Sequence, residues 1–184
     1  LTLTTQNINT LLVLCKQGNQ LAQMEVYKRY QQAMFNISLR IVKDKAEAED
    51  IMQESFITAF NKLDTFKGEA SFGAWLKRIV INNSLTQYRK LNRYIMVSDE
   101  GISEETEEDQ YETDFEDYSG IKAKKLLECM GELHESYHRI LNLHFIEGYD
   151  YEELCEILNI SYANCRTLIS RAKESLRKKL TQAI

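Results

Sequence analysis

The chain has 184 residues, a formal net charge of −5 and 43% apolar residues, enough for one medium domain or two small ones with real cores. It contains no Pro and only 7 Gly, so long helices joined by few tight turns are expected rather than a sandwich or barrel of many short strands, which needs frequent turn residues. No apolar run approaches the ~18–20 residues of a membrane span. Leu11, Leu12, Val13, Leu14 and Cys15 are too few for a signal-peptide core and follow no basic residue, so a cytoplasmic location is expected.

Charge divides the chain. Residues 97–120 carry eleven acids and no base, whereas residues 1–96 hold 13 bases against 8 acids and residues 121–184 hold 10 against 9. Two helical modules, 1–96 and 121–184, are therefore expected on either side of an acidic linker, 97–120, whose like charges repel and keep it extended. Such a block serves as a spacer, or as a mimic of nucleic-acid phosphate that holds basic modules off DNA.

Taking the first module in order, Asn19 is a plausible N-cap for a helix running to about residue 42, with Leu21, Met24, Met34, Ile37 and Ile41 on its buried face. Asp44 and Glu47 form a capping box that opens a second helix. On it Ala48, Met52, Phe56, Ala59, Phe60 and Leu63 recur at spacings of three and four, leaving Asp50, Gln53, Glu54 and Ile57 on the other side. A short loop follows, and Ser71 caps a third helix from residue 72 to about 91. Phe72, Trp75, Leu76, Ile79 and Val80 face inward. Arg78, Asn82, Thr86, Arg89 and Arg93, flanked by Lys77, Asn83, Gln87 and Lys90, make an acid-free polar stripe. Cations there suit phosphates, and amides and hydroxyls suit base edges.

In the second module the apolar pattern resumes with Leu126, Leu127, Met130 and Leu133, then Ile140, Leu141, Leu143, His144, Phe145 and Ile146. Asp150 and Glu153 form another capping box, opening a short helix through Leu154, Ile157 and Leu158. Asn159, Ile160 and Ser161 make a tight turn, and a last helix runs from residue 162 to about 180 on a stripe of Cys165, Ile169, Ala172, Leu176 and Leu180. Its outer surface carries Arg166, Arg171, Lys173, Arg177, Lys178 and Lys179 against the single acid Glu174. A short acidic helix, a three-residue turn and a long basic helix is the layout of a DNA-binding helix-turn-helix, whose second helix enters the major groove by its first turns.

The four cysteines, Cys15, Cys129, Cys155 and Cys165, form no C-x-x-C pair and sit among apolar positions, so buried free thiols are expected. His134 and His138 are four apart, but three histidines without a companion ligand set do not make a metal site. No cofactor, small-molecule substrate or catalytic constellation is legible, and Asp50 and Glu54, four apart, read better as a docking face than as a catalytic pair. A stand-alone helix-turn-helix regulator, its first module sensing a ligand or dimerising, is the competing reading.

Three stretches resemble bacterial RNA polymerase sigma factors of the extracytoplasmic-function (ECF) group, in family order. They are AEDIMQESF at 48–56, FKGEASFGAWLKRIVIN at 66–82, and GYDYEEL at 148–154 continuing through Ile160 and Ser161 to SRAKESLR at 170–177. The resemblance implies an all-α chain of two small helical domains on a flexible linker. It implies that Asp50, Gln53, Glu54 and Ile57 dock on the core polymerase, at the β′ coiled coil. Phe66, Lys67, Gly68, Glu69, Ala70 and Ser71 would receive a base flipped from the minus-ten element, and Arg78, Asn82, Arg89 and Lys90 would hold that strand. Asn164, Arg166, Thr167, Ser170, Arg171 and Lys173 would read the minus-thirty-five element. Core polymerase (β′ and β subunits), promoter DNA and an anti-sigma factor are the implied partners. Thr86, the Asn164-Cys165 pair, Leu168 and His134 depart from the usual family residues. These departures leave the role intact and bear on which promoter is read.

Overall fold

The computed structural model describes the backbone of residues 3–95 and 123–182, and their side chains apart from 91–95 and 124. Among these residues the secondary structure is helical, in eight α-helices: α1 (Ile8–Lys16), α2 (Gln20–Val42), α3 (Lys45–Asn61), α4 (Phe72–Ile95), α5 (Ala123–Gly131), α6 (Glu135–Leu141), α7 (Tyr151–Leu158) and α8 (Tyr162–Gln182). The chain splits into two compact units, Leu1–Glu100 and Gly101–Ile184. The acidic segment 97–120 lies outside the described residues.

In the first unit α2 is the central helix, and α1, α3 and α4 all pack on it. Helix α1 was not anticipated. The run Leu11–Cys15, read only as too short for a signal peptide, lies in it, with Leu11, Leu12 and Cys15 buried and Val13 exposed. The α1–α2 connection is short because Gly18 takes φ +78°, a conformation open to Gly at little cost, and Asn19 then accepts a hydrogen bond from the Ala22 N–H at 3.0 Å. The expected buried face of α2 needs correction at its start. Leu21 and Met24 are 67% and 55% exposed, and the buried residues there are Ala22 and Val26. Small side chains let neighbouring backbones approach, which a three-and-four count of large apolar residues does not register. Helix α3 starts where Asp44 accepts from the Glu47 N–H at 2.9 Å. The Glu47 carboxylate accepts from Gln87 of α4 at 3.1 Å, so it ties two helices together. Ser38 and Ser84 hydrogen-bond at 3.1 Å between α2 and α4, and Asn83 donates to Ser55 at 3.0 Å between α4 and α3. Each buried hydroxyl in these pairs is satisfied, as burial demands.

In the second unit α5, α6 and α7 all pack on α8. His134 caps α6, its ring nitrogen accepting from the Ser136 N–H at 3.4 Å. His138 is half-buried, with Nδ1 2.8 Å from the Met130 carbonyl. The two histidines thus serve separate local roles. After α6 the backbone widens to a π turn over Asn142–Ile146, closed by the Glu147 N–H donating to the Asn142 carbonyl at 2.9 Å. Within the apolar run that precedes α7, Leu127, Phe145 and Ile146 are 51%, 50% and 43% exposed, in contrast to the buried Ile140, Leu141 and Leu143.

Candidate docking and nucleic-acid surfaces

Helix α3 buries Ala48, Ile51, Met52, Ser55, Phe56 and Ala59. Asp50, Gln53, Glu54 and Ile57 are all exposed, with Ile57 at 62%, and Lys45, Ala46, Glu49 and Asn61 are exposed on the same helix. A stripe of two carboxylates, an amide and a large aliphatic group has the composition of a protein-docking face. The aliphatic group supplies burial, and the carboxylates supply orientation against a basic partner.

The loop after α3 is anchored by aromatic packing. Phe66 is half-buried, meeting Phe72 edge-on at 5.8 Å and Trp75 at 5.3 Å, and Tyr30 of α2 meets Phe72 edge-on at 5.4 Å. Trp75 therefore packs in this cluster while remaining half-exposed. Tyr30 was missed. A signal for it is Gly73, where an added Cβ would lie 3.0 Å from Tyr30 Cε1. Lys67, Gly68, Glu69, Ala70 and Ser71 are all exposed, Gly68 turns the chain at φ +79°, and Ser71 Oγ accepts from the Ala74 N–H at 3.2 Å to start α4. This arrangement is an open, backbone-rich loop on a rigid aromatic base.

Along α4, Asn82, Arg89 and Lys90 are exposed and Arg78 is half-exposed, while Phe72, Leu76, Val80, Ile81, Ser84 and Leu85 are buried. Trp75 and Ile79, expected inside, are only half-buried. Asn83 and Gln87, read as part of the polar stripe, are instead held in the α3–α4 contact by Ser55 and Glu47. Thr86 turns its hydroxyl back to the Asn82 carbonyl at 2.8 Å. The side chain of Arg93 lies outside the described residues.

The second unit presents a helix-turn-helix. Asp150 and Glu153 complete their capping box, with bonds of 2.8 and 3.1 Å. Asn159 ends α7 in the left-handed region at φ 57°, a conformation Asn tolerates better than most residues. Ser161 Oγ accepts from the Asn164 N–H at 3.3 Å. Helix α8 buries Cys165, Ile169, Ala172 and Leu180, and Leu176 is half-buried. Asn164, Arg166, Thr167, Ser170 and Arg171 are all exposed along its first half. Lys173 is half-buried, with Nζ 5.3 Å from the centre of the Phe145 ring. Burial first, and Arg177 second, hold its pKa below the ordinary lysine value.

Each unit matches part of one family. The family profile described as sigma-70 region 2 matches residues 26–94, and that described as sigma-70 region 4 matches residues 123–176, together well over half of the chain. The chain belongs to the sigma-70 family. Similar curated proteins include the ECF RNA polymerase sigma factor SigW of Bacillus subtilis, 29% identical over 90% of this chain and 92% of that one. The RNA polymerase sigma-H factor of Pseudomonas aeruginosa is 28% identical over 97% of this chain and 96% of its own. Among solved structures, the sigma factor RpoE in complex with the anti-sigma factor NepR from Bartonella quintana is similar, with a TM-score of 0.56 and 21% identity over 86% of this chain and 96% of that one. CnrH in complex with the cytosolic domain of CnrY is similar with a TM-score of 0.54 and 20% identity over 94% of this chain and 96% of its own. The structural likenesses bear on the fold. The two profiles and the sequence relatives place the chain in the ECF group and make it an RNA polymerase sigma factor that directs promoter recognition. No described helix of this sigma factor is long and apolar enough to cross a membrane.

Proposed function

We propose that this sigma factor docks on core polymerase through the exposed stripe Asp50, Gln53, Glu54 and Ile57 of α3, with the basic β′ coiled coil as the complementary surface. The loop Phe66, Lys67, Gly68, Glu69, Ala70 and Ser71 receives a base flipped from the non-template strand of the minus-ten element. Arg78, Asn82, Arg89 and Lys90 on α4 hold that strand. In the second module Asn164, Arg166, Thr167, Ser170 and Arg171 meet the minus-thirty-five duplex in its major groove. Lys173, lying over Phe145, reaches the phosphates from the side of that groove. Residues 1–96 and 121–184 act as the two binding modules, and the acidic segment 97–120 tethers them.

The observation that carries this reading is the sorting of exposed chemistry by helix. An acidic and aliphatic stripe on α3, a cationic and amide stripe on α4, and a cationic first half of α8 outside a helix-turn-helix serve one protein partner and two nucleic-acid sites. The chain carries a negative total charge, so by itself it binds DNA weakly. Bound to polymerase, the two modules reach both promoter elements together, and the second contact becomes intramolecular. Capture of the unstacked base offsets the few kcal/mol that unpairing costs. The polymerase performs the chemistry, in the cytoplasm, and the chain contributes no catalytic group. An anti-sigma factor is the proposed regulator, since two structurally similar proteins were solved with such a partner or with a cytosolic partner domain.

Run-off transcription with purified core polymerase tests the scheme. Addition of the chain is expected to start transcription at a defined promoter. Asp50→Lys with Glu54→Lys is expected to abolish core binding, while Arg166→Ala with Arg171→Ala spares core binding and loses dependence on the upstream element. Normal transcription by the docking variant overturns the assignment of α3, and tight operator binding without polymerase supports a stand-alone regulator instead.

A further inference from the structure

Tyr162 opens α8 and is 52% exposed, a large aromatic side chain at the edge of the surface assigned to duplex DNA. It is not isolated. Its ring centre lies 6.0 Å from that of Tyr151, Tyr151 meets His144 edge-on at 5.2 Å, and His144 lies 4.8 Å from Phe145. This row of rings runs from the π turn, across the first turn of α7, to the start of α8. Its middle is pinned by His144 Nδ1, 2.8 Å from the Tyr149 carbonyl. Its far end is covered by Lys173 over Phe145.

A tyrosine has few rotatable bonds, so holding it against a partner costs little entropy. Apolar packing alone would not require a hydroxyl at so exposed a position. A neutral hydroxyl donor beside a groove-entering helix is a group that binds phosphate oxygen and fixes register on the duplex. Resting on the assignment of α8 to the upstream element, we propose that the Tyr162 hydroxyl donates a hydrogen bond to a backbone phosphate at the edge of the minus-thirty-five element. The aromatic row holds the ring in place for that contact. Tyr162 thereby sets how the recognition helix seats, and the side chains from Asn164 to Arg171 then read bases.

The test uses the full chain assembled with core polymerase and a promoter duplex selected from a random library by the wild-type holoenzyme. Tyr162→Phe keeps the ring and its packing and removes only the hydroxyl. Promoter affinity is expected to fall roughly ten- to a hundred-fold, as for loss of one hydrogen bond to a charged group. The loss is expected to be the same on duplexes substituted base by base across the upstream element, as for a phosphate contact. Core binding and the thermal midpoint should be unchanged. Wild-type affinity for Tyr162→Phe overturns the proposal, and a loss confined to one base pair overturns the phosphate assignment. Arg166→Ala with Arg171→Ala separates the two levels. If that variant also binds normally, the assignment of α8 itself fails. If it loses affinity while Tyr162→Phe does not, only the inference about Tyr162 falls.

Discussion

The capping box of α7 offers a sharp test of how the helix-turn-helix is held. Asp150→Ala removes the bond that the Glu153 N–H donates at 2.8 Å and leaves the return bond, from the Asp150 N–H to Glu153, at 3.1 Å. Loss of such a cap costs about 1 kcal/mol, and removing a negative charge from a helix N-terminus costs ~0.3–1 kcal/mol more. The total is about 1–2 kcal/mol. For a unit of this size each kcal/mol moves the midpoint by ~4–8 °C, so a fall of roughly 4–16 °C is expected. The single tryptophan, Trp75, lies in the other unit, which supplies an internal control. The calorimetric and far-UV transition of the second unit should move, while the Trp75 fluorescence transition stays. Asp150→Asn keeps an acceptor oxygen and should recover most of the loss. A shift below 1 °C in Asp150→Ala, or an equal loss in Asp150→Asn, refutes the assignment of stability to the side-chain bond.

Other expectations follow from single residues. Lys43 ends α2 in the left-handed region at φ 61°, a strained conformation for a residue with a Cβ, so Lys43→Gly should raise stability by about 0.5–1 kcal/mol in urea unfolding. Burial pushes the Cys15 thiol, and burial with Cys155 beside it pushes the Cys165 thiol, up to about 11 from an ordinary 9.0. Folding therefore favours the protonated thiols. Their contribution is complete below pH 9 and is lost as pH rises through 11. The urea midpoint of the wild type should fall across that window more steeply than that of the Cys15→Ala, Cys165→Ala double variant, and parallel profiles would contradict the assignment. Asn83→Ala, which breaks the bond to Ser55, should cost about 1 kcal/mol of stability with little change in promoter-strand affinity once folded. Asn82→Ala should do the reverse.

That last pair shows where sequence reading stops. Asn82, Asn83, Thr86 and Gln87 sit within six positions on one helix, and all four have the chemistry of nucleic-acid contacts. Period alone puts them on or beside one stripe. Which of them faces solvent depends on whether a neighbouring helix offers a partner, and Ser55 and Glu47 lie 28 and 40 residues away in the chain. Such pairings leave no mark in local spacing. The caps, by contrast, were legible because each is closed within three or four residues. Asn19, Asp44, Ser71, Asp150 and Ser161 all accept the bonds their positions suggested.

The missed helix α1 and the exposed Leu21 and Met24 have one physical origin. Counting large apolar residues identifies a buried face only where the neighbouring backbone stands a side chain away. At the start of α2 the buried positions are Ala22 and Val26, which permits a close approach, and α1 packs on α2 with Leu11 and Leu12 inside. The face of α2 that meets its neighbours there is the one bearing Ala22 and Val26, and Leu21 and Met24 fall outside it. The α3 stripe escaped this error because its own buried side holds large residues, Ile51, Met52 and Phe56, as well as small ones. The remaining face was therefore outward by exclusion. On that logic the exposure of the stripe proposed for docking was the most legible of the three, that of the α8 face follows, and the α4 face is the one where exposed residues had to be separated from interhelical bonding by the structure.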